Sequence, residues 1–324
     1  MTKKRVVIID GLNTYLRNYI VNPSLSTNGD PIGGLKGFLS SLQKLTRELK
    51  PDQVVVVWDG PGGSQRRKAV NKNYKEGRKP IRLNRSVKLL SEEENTKNKI
   101  WQQTRLFEYL NSMPVSQIII EGIEADDIIA QVCNEMHTKD IEKVIVSSDK
   151  DFIQRCDHST VLYRPIQKKV LNKKTVIKEY GISPNWFALA RAIVGDKSDN
   201  LVGVSGIGLK TIARRFPFFS EGDMASCFYK LFGHCEENKE GVKAYRDILQ
   251  NKKLIEENYK LMQLYAPYIS PQNKRKIRAA IFDMEPQFNR TGIIKMMNED
   301  GFGVYDWTEL FANFRKIIVD SKQH

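Results

Sequence analysis

Hydrophobic and polar positions follow two different periods along this chain, and the balance between them shifts partway. Up to about residue 173, short runs rich in β-branched residues recur at Arg5–Ile9, Val54–Trp58, Gln117–Ile120 and Lys143–Val146. Their apolar residues are consecutive rather than alternating, as expected of strands covered on both faces. Between the runs, apolar residues return every three or four positions. In Gly33–Leu49 they fall at Leu35, Phe38, Leu39, Leu42, Leu45 and Leu49, which predicts a helix. Ile100–Leu110 and Ala125–Met136 carry the same period. Strands separated by helices predict an α/β fold with a parallel central sheet flanked by helices. Val161–Leu171 reads as a small hairpin with a basic tip. Beyond about Lys173 the strand pattern ends, and the chain reads as helices jointed at Pro, Gly and Asn.

Composition changes this picture little. Apolar residues make up 40% of the 324 residues and charged residues 28%, which excludes a disordered or fibrous chain. The length suits two domains at roughly 100–200 residues each. The runs Val6–Ile9 and Val54–Trp58 fall far short of the ~20 residues that a bilayer span requires. Met1-Thr-Lys-Lys-Arg resembles the start of a secretory signal, but the apolar run that follows ends at Asp10. A cytoplasmic protein with no membrane association is the expectation. Cys133, Cys156, Cys227 and Cys235 form no C-x-x-C pair, so they read as thiols in a reducing compartment.

Charge changes it more. The net formal charge is +14, which points to a polyanionic partner. Between Gln65 and Leu90 stand Arg66, Arg67, Lys68, Lys72, Lys75, Arg78, Lys79, Arg82, Arg85 and Lys88, opposed only by Glu76. This local excess of +9 is inserted between two core elements, and nucleic-acid phosphates would offset its self-repulsion. Tyr74, set among the cations, would stack on a base or simply pack locally.

The acids fall where the strands end. Asp10 follows the first run, Asp59 the second, Asp149 the fourth, and Glu124, Asp126 and Asp127 the third after a short turn. A parallel sheet gathers all its strand C-termini along one edge, where open α/β folds keep their ligand crevice. Asp151 shares the turn Ser-Ser-Asp-Lys-Asp-Phe with Asp149, and Asp196 and Asp199 share Gly-Asp-Lys-Ser-Asp-Asn. Two bare carboxylates 4 Å apart repel by about 4 kcal/mol at an effective dielectric near 20. Convergent acids therefore need cations or protons, and oxygen ligands without His or Cys fit Mg²⁺ or Mn²⁺. No convincing protein nucleophile stands out, so the pattern points to metal-activated water attacking a phosphodiester.

The run Gly203-Val-Ser-Gly206-Ile-Gly208-Leu-Lys210-Thr211 invites a nucleotide-binding reading, which fails on spacing. Leu209 separates the last glycine from Lys210, against the P-loop pattern, and Thr211 stands where a dinucleotide fingerprint has its third glycine. A hairpin between helices is the better reading. Its amide groups, with Ser205, Lys210 and Thr211, would hold a duplex phosphate.

Taken together, Ile-Ile-Asp10-Gly, Trp-Asp59-Gly, Gly-Ile-Glu124-Ala-Asp126-Asp127, Ser-Ser-Asp149-Lys-Asp151-Phe, Gly-Asp196-Lys-Ser-Asp199-Asn and the glycine hairpin resemble the 5′-nuclease family. That family includes flap endonucleases, the 5′-exonuclease domain of bacterial DNA polymerase I and phage 5′-nucleases. Asn73-Tyr74-Lys75-Glu-Gly-Arg78 resembles the family's basic helical arch, and the C-terminal helices are most similar to T-even phage RNase H. The resemblance implies a PIN-like nuclease core over 1–180 with an arch at about 60–98. A helical region would follow over 181–324, with a helix–hairpin–helix at about 196–216. It implies two Mg²⁺ ions, replaceable by Mn²⁺, with Asp10, Asp59, Asp126 and Asp149 at one and Asp151, Asp196 and Asp199 at the other. Glu124 and Asp127 would be shared or lie behind them.

Lys75 and Arg78 would stabilise charge on the scissile phosphate, with Tyr74 stacked on a nearby base. Arg66, Arg67 and Lys72, together with Gly203, Ser205, Gly206, Gly208, Lys210 and Thr211, would contact DNA. Carbonyls around Val204–Ile207 would hold K⁺. The implied activity is structure-specific removal of 5′ flaps and RNA primers from branched DNA and RNA–DNA hybrid by a monomeric enzyme. Hydrolysis would leave a 5′-phosphate and a 3′-hydroxyl, and a sliding clamp or single-strand-binding protein is the partner that replication suggests. Val202 departs from the proline common before the hairpin glycine. The competing readings are a catalytically silent branched-DNA binder and a PIN-type ribonuclease. The first needs an incomplete acid set, and the second lacks the basic insertion and the hairpin.

Overall fold

The structure, a computed structural model, describes residues 3–77, 90–221, 224 and 226–321. Six strands form one sheet: β1 (Lys4–Asp10), β2 (Gln53–Trp58), β3 (Ser116–Ile119), β4 (Ile141–Val146), β5 (Thr160–Arg164) and β6 (Lys169–Leu171). Their spatial order is β3-β2-β1-β4-β5-β6. The first five run parallel and β6 is antiparallel to β5. Ile9 lies between Val56 and Val146, which fixes the register at the centre. The hairpin expected at 161–171 is thus an extension of the main sheet, because β5 pairs with β4.

Consecutive apolar residues in the strands serve two cores. Val6, Ile8, Val55, Val57 and Ile145 face one layer, and Val7, Ile9, Val54, Val56 and Val146 face the other. The second layer is covered by α1 (Gly11–Val21), α2 (Gly33–Leu49) and the end of α4 (Glu92–Asn111), with the short α3 (Gln65–Val70) preceding α4 in the chain. The first layer takes α5 (Ala125–Glu135) and then a train of helices: α6 (Lys173–Tyr180), α7 (Pro184–Val194), α8 (Leu209–Arg215), α9 (Cys227–Glu237), α10 (Lys243–Gln250), α11 (Lys252–Met262) and α12 (Pro271–Phe282). The last two helices, α13 (Arg290–Glu299) and α14 (Trp307–Ser321), cross back to the second layer, where Ile293, Met297, Leu310 and Phe314 are buried. Arg105 of α4 donates to Asp300 at 2.7 Å and the Tyr109 hydroxyl donates to the same carboxylate, which fastens the end of α13. Both cores therefore contain residues from the α/β half and from the helical half.

Two elements differ from the sequence reading. Helix α4 begins at Glu92 rather than near Ile100, because its first turns are solvated and carry no hydrophobic period. Its start is instead marked by a capping box between Ser91 and Glu94. Beyond residue 173 the chain still makes one small ladder, β7 (Gly195–Asp196) with β8 (Leu201–Val202). Two-residue strands are too short for any periodicity to reveal. No helix among the described residues is long and apolar enough to cross a membrane.

The turns that follow β2 and β3 are clasped together. The Gly60 amide donates to the Ile123 carbonyl at 3.0 Å, and a Cβ at Gly60 would lie 1.7 Å from the Ile120 oxygen. That close approach lets Asp59 accept from the Ala125 amide at 2.8 Å, so one strand-end acid starts the helix that carries two others. Gly60→Ala must push the turns apart and should cost about 1–3 kcal/mol of stability, read from urea unfolding. An unchanged midpoint would show that the clasp yields freely.

Candidate active site

Topology brings the acids together as expected, and local hydrogen bonds aim them. Asp10 caps α1: one carboxylate oxygen accepts from the Asn13 amide at 3.1 Å and the other from the Ser147 hydroxyl at 2.9 Å. Ser147, fully buried at the end of β4, in turn accepts from the Asp149 amide at 3.1 Å. Asp149 then accepts from the Asp151 amide at 2.8 Å, so one chain of contacts runs from β1 into the turn after β4. This is the topological switch point of the sheet, where the strand order reverses.

The neighbours of each acid define two groups that share Asp149. Burial pushes Asp10 up to about 7, and the charges of Asp59 and Asp149 add to that. Burial also raises Asp126, with Asp149 and Asp10 next in importance. In the second group, carboxylate oxygens of Asp151, Asp196 and Asp199 lie within 4.8 Å of one another. Burial and then Asp149 raise Asp151 to about 7. Burial works upward on Asp196 too, but hydrogen bonds from Ser198 and the charge of Arg191 outweigh it and hold that carboxyl below its usual range. Asp196 ends β7 and Asp199 sits in the turn that leads to β8, a β-hairpin rather than a helical turn.

Internal cations complete the site, and here the sequence reading needs correction. Arg67 is buried, not presented to DNA. Its guanidinium pairs with Glu124, donates to Asp127 at 3.2 Å and to the Leu261 carbonyl at 3.0 Å. Burial disfavours its charge, but Asp127 and its other anionic neighbours more than restore it. Tyr74 is also buried, with its ring in the first core and its hydroxyl donating to Glu124 at 3.3 Å, so it stacks on no base in this arrangement. Lys75 is half-buried beside it: the ammonium pairs with Glu124 and the backbone amide donates to the Asp199 carbonyl at 3.0 Å. Glu124 and Asp127 therefore face this cationic cluster rather than the other acids. Arg66 and Lys72 are exposed, and Arg78 lies outside the described residues.

Arg191, Ser147 and Asn13 were missed. Arg191 lies 3.1 Å from Asp151 and also pairs with Asp196, so it neutralises the second group from within. Its only sequence signal is its place in the last turn of α7, five residues before Asp196. Ser147 and Asn13 look like ordinary turn and helix residues until the two strand ends meet.

The glycine hairpin joins α7 to α8 through the β7–β8 ladder, so the unit begins at Pro184, upstream of the expected 196. Ser205, Gly206 and Lys210 are exposed, whereas Val204 and Ile207 anchor the loop in the core. Gly203 has a structural task, since a Cβ there would lie 2.0 Å from the Val194 carbonyl oxygen. Gly208 and Thr211 are half-buried, and the Thr211 amide is taken by the Gly208 carbonyl at 2.9 Å. All four cysteines are free.

Removing the buried guanidinium would leave Glu124 and Asp127 with less counter-charge. Arg67→Ala should therefore cost about 3–5 kcal/mol in urea unfolding. The exposed neighbour Arg66→Ala should change stability by less than about 1 kcal/mol. Equal losses from both would contradict the division into inward and outward cations.

Comparison with known proteins identifies the family. The family model described as "5'-3' exonuclease, N-terminal resolvase-like domain" matches residues 5–181. The chain is 30% identical over 267 residues to a 5′-3′ exonuclease of Aquifex aeolicus, covering 81% of this chain and 82% of that one. It is 29% identical over 268 residues to the flap endonuclease Xni of Shewanella woodyi, covering 80% and 92%. Its fold resembles that of a bacteriophage T5 flap endonuclease solved with DNA and metal ions, with TM-score 0.63 and 18% identity over 92% of this chain and 98% of that one. With a family model matching more than half of its length and a relative of 30% identity covered over 82%, this chain belongs to the 5′-3′ exonuclease and flap endonuclease family.

Proposed function

We propose that the protein is a Mg²⁺-dependent, structure-specific 5′-nuclease that removes 5′ flaps and RNA primers during replication. The observation that carries this reading is the base of the basic segment, bonded through Lys75 directly to two members of the acid row, Glu124 and Asp199. Phosphates gathered by the segment would thus be delivered to the acids. The donor set suits hard divalent ions, because Asp151, Asp196 and Asp199 converge without His or Cys. Asp10, Asp59, Asp126 and Asp149 would hold one ion and Asp151, Asp196 and Asp199 the other. Such ions would supply the Lewis acidity that activates water and offsets charge on the phosphate.

The protein's own groups do the remaining work. Lys75, released from Glu124 when a phosphate arrives, would stabilise the charge developing on it. Arg191 would orient Asp151 and Asp196. The Asp10–Ser147–Asp149 chain would keep the first carboxylates aimed at one point. Ser205, Gly206 and Lys210 would hold the duplex through its phosphates, with a monovalent cation on the carbonyls around Val204–Ile207. These contacts read the backbone, so RNA and DNA 5′ ends are both substrates. The products are a 5′-phosphate and a 3′-hydroxyl.

A duplex with a labelled 5′ single-stranded arm should be cut near the junction with Mg²⁺ and not with EDTA. Asp149→Asn should lower the single-turnover rate more than about 100-fold while DNA affinity in EDTA is retained. Near-normal cutting by this variant would sink the assignment.

The raised carboxyls also set the pH response of the metal-free protein. Asp10 and Asp151, at about 7 when folded, bind more protons than in the unfolded chain between about pH 4 and 7. Their contribution to stability therefore falls as pH rises through that window. Asp196, held low, loses its contribution only below it. In EDTA, Tm should rise as pH is lowered from about 8 to about 5.5, and Mg²⁺ should raise Tm most at the upper end. A Tm in EDTA that falls over that range would contradict the burial of these acids.

A further inference from the structure

The strongest unassigned feature lies beside α3, in the loop between α11 and α12. Tyr265 and Tyr268 are 75% and 74% exposed there. The loop is braced: Leu264 and Ile269 are buried, and the Gln263 side chain donates to the Ala266 carbonyl at 3.0 Å and accepts from its amide at 2.9 Å. Both rings are therefore presented to solvent by an ordered segment. Arg66 lies over the Tyr268 ring at 4.3 Å, and these two line a cleft with Lys260 and Gln263. Arg67 and Asp127 line the same cleft, so it adjoins the cationic cluster at Glu124. From the cleft, α12 leads away against α5 and β3, with Lys274, Arg275 and Lys276 exposed, Arg278 paired with Glu135 of α5 at 3.3 Å, and Ile277 and Ile281 in the core. Between Lys260 and Phe282 the sequence has no acid.

We propose that this surface is a second nucleic-acid site, which binds the single-stranded 5′ arm of the substrate. The proposal rests on the branched-DNA reading above and adds where one arm goes. Exposed rings with cations close by are what a single strand needs: Tyr268 lies against Arg66, Tyr265 is exposed three residues before it, and a base can stack on each ring while phosphates pair with Arg66, Lys260 and the basic face of α12. A duplex has no use for the rings, because its bases are already stacked within the helix. The braced loop matters for the energetics, since rings already held outward lose little freedom on binding.

Placement supports the assignment. The glycine hairpin follows α7, which packs against the turn after β4. Helix α12 packs beside β3, the opposite edge of the parallel strands. The acid row, spanning the ends of β3, β2, β1 and β4, lies between. A duplex on the hairpin and a single strand on α12 would thus leave the acids from opposite sides, with the junction over them. A solvated basic helix would account for the charges of α12, but not for two tyrosines held outward beside them.

The test is equilibrium binding in EDTA, by fluorescence anisotropy, of a fully paired duplex and of the same duplex with 5′ arms of increasing length. Affinity should grow with arm length. The double variant Tyr265→Ala/Tyr268→Ala should remove about tenfold of that gain. Tyr265→Phe/Tyr268→Phe should keep it, and all three proteins should bind the paired duplex alike. No gain with arm length, or an equal gain in the alanine variant, would overturn the proposal. So would an equal loss on paired and armed duplexes, which would mean a duplex contact. Cutting of the armed duplex with Mg²⁺ is scored separately: its absence would strike the nuclease reading, while the binding series would still decide the arm site.

Discussion

Mutual repulsion of carboxylates at one edge of the sheet is the constraint around which this molecule is organised. A parallel sheet with buried strands has no choice about where its strand C-termini lie, so acids placed there meet regardless of their distance in sequence. Each close pair costs about 4 kcal/mol at 4 Å in a medium of dielectric near 20. The fold answers in two ways. Asp10 and Asp151 are driven toward the protonated form by burial. Fixed cations stand at the ends, Arg67 at Glu124 and Asp127, Lys75 at Glu124, and Arg191 at Asp196 and also at Asp151. The site is thus compensated at its two ends, while Asp10, Asp126 and Asp149 between them rely mainly on protons or on added ions. That gradient of compensation selects where a divalent cation gains most.

The same cations tie distant elements to the site. Arg67 links the root of the basic segment to α5 and, through the Leu261 carbonyl, to α11. Arg191 links α7 to the turn after β4 and to the β7–β8 hairpin. The Lys75 amide and Asn200 side chain join that hairpin to the base of the segment, at 3.0 Å each. The glycine hairpin, the basic segment and the acid row therefore share bonds rather than merely lying near one another.

How much of this was legible in the sequence follows from which signals are local. Consecutive β-branched residues marked β1, β2 and β4, and the spacing of Leu35 to Leu45 marked α2, because burial imposes those patterns on every such element. The acids were legible because strand ends converge by topology alone. Inward orientation was not. Arg66 and Arg67 are neighbours in one basic run, yet one is exposed and the other is buried against Glu124. The rotation of a six-residue helix decides between them, and no periodicity in so short a segment records it. Tyr74 is open in the sequence for the same reason: an aromatic among cations suits a stacking platform and a core anchor equally well until its neighbours are known.

Charge counting alone therefore overstates what the basic segment offers to nucleic acid. Arg67 is consumed by Glu124 and Asp127, and Lys75 by Glu124, so part of the excess read from the sequence serves the acids instead of a ligand. The two uses are not independent. A cation that holds an acid could turn to an arriving phosphate only if its surroundings leave it room to move. Lys75 meets this condition, being half-buried at the edge of the cluster on a long flexible side chain. Arg67 does not, since three partners and burial fix it in place. Depth of burial thus divides two residues of the same charge in one segment, leaving Arg67 a fixed counter-ion and Lys75 able to move toward the role proposed for it.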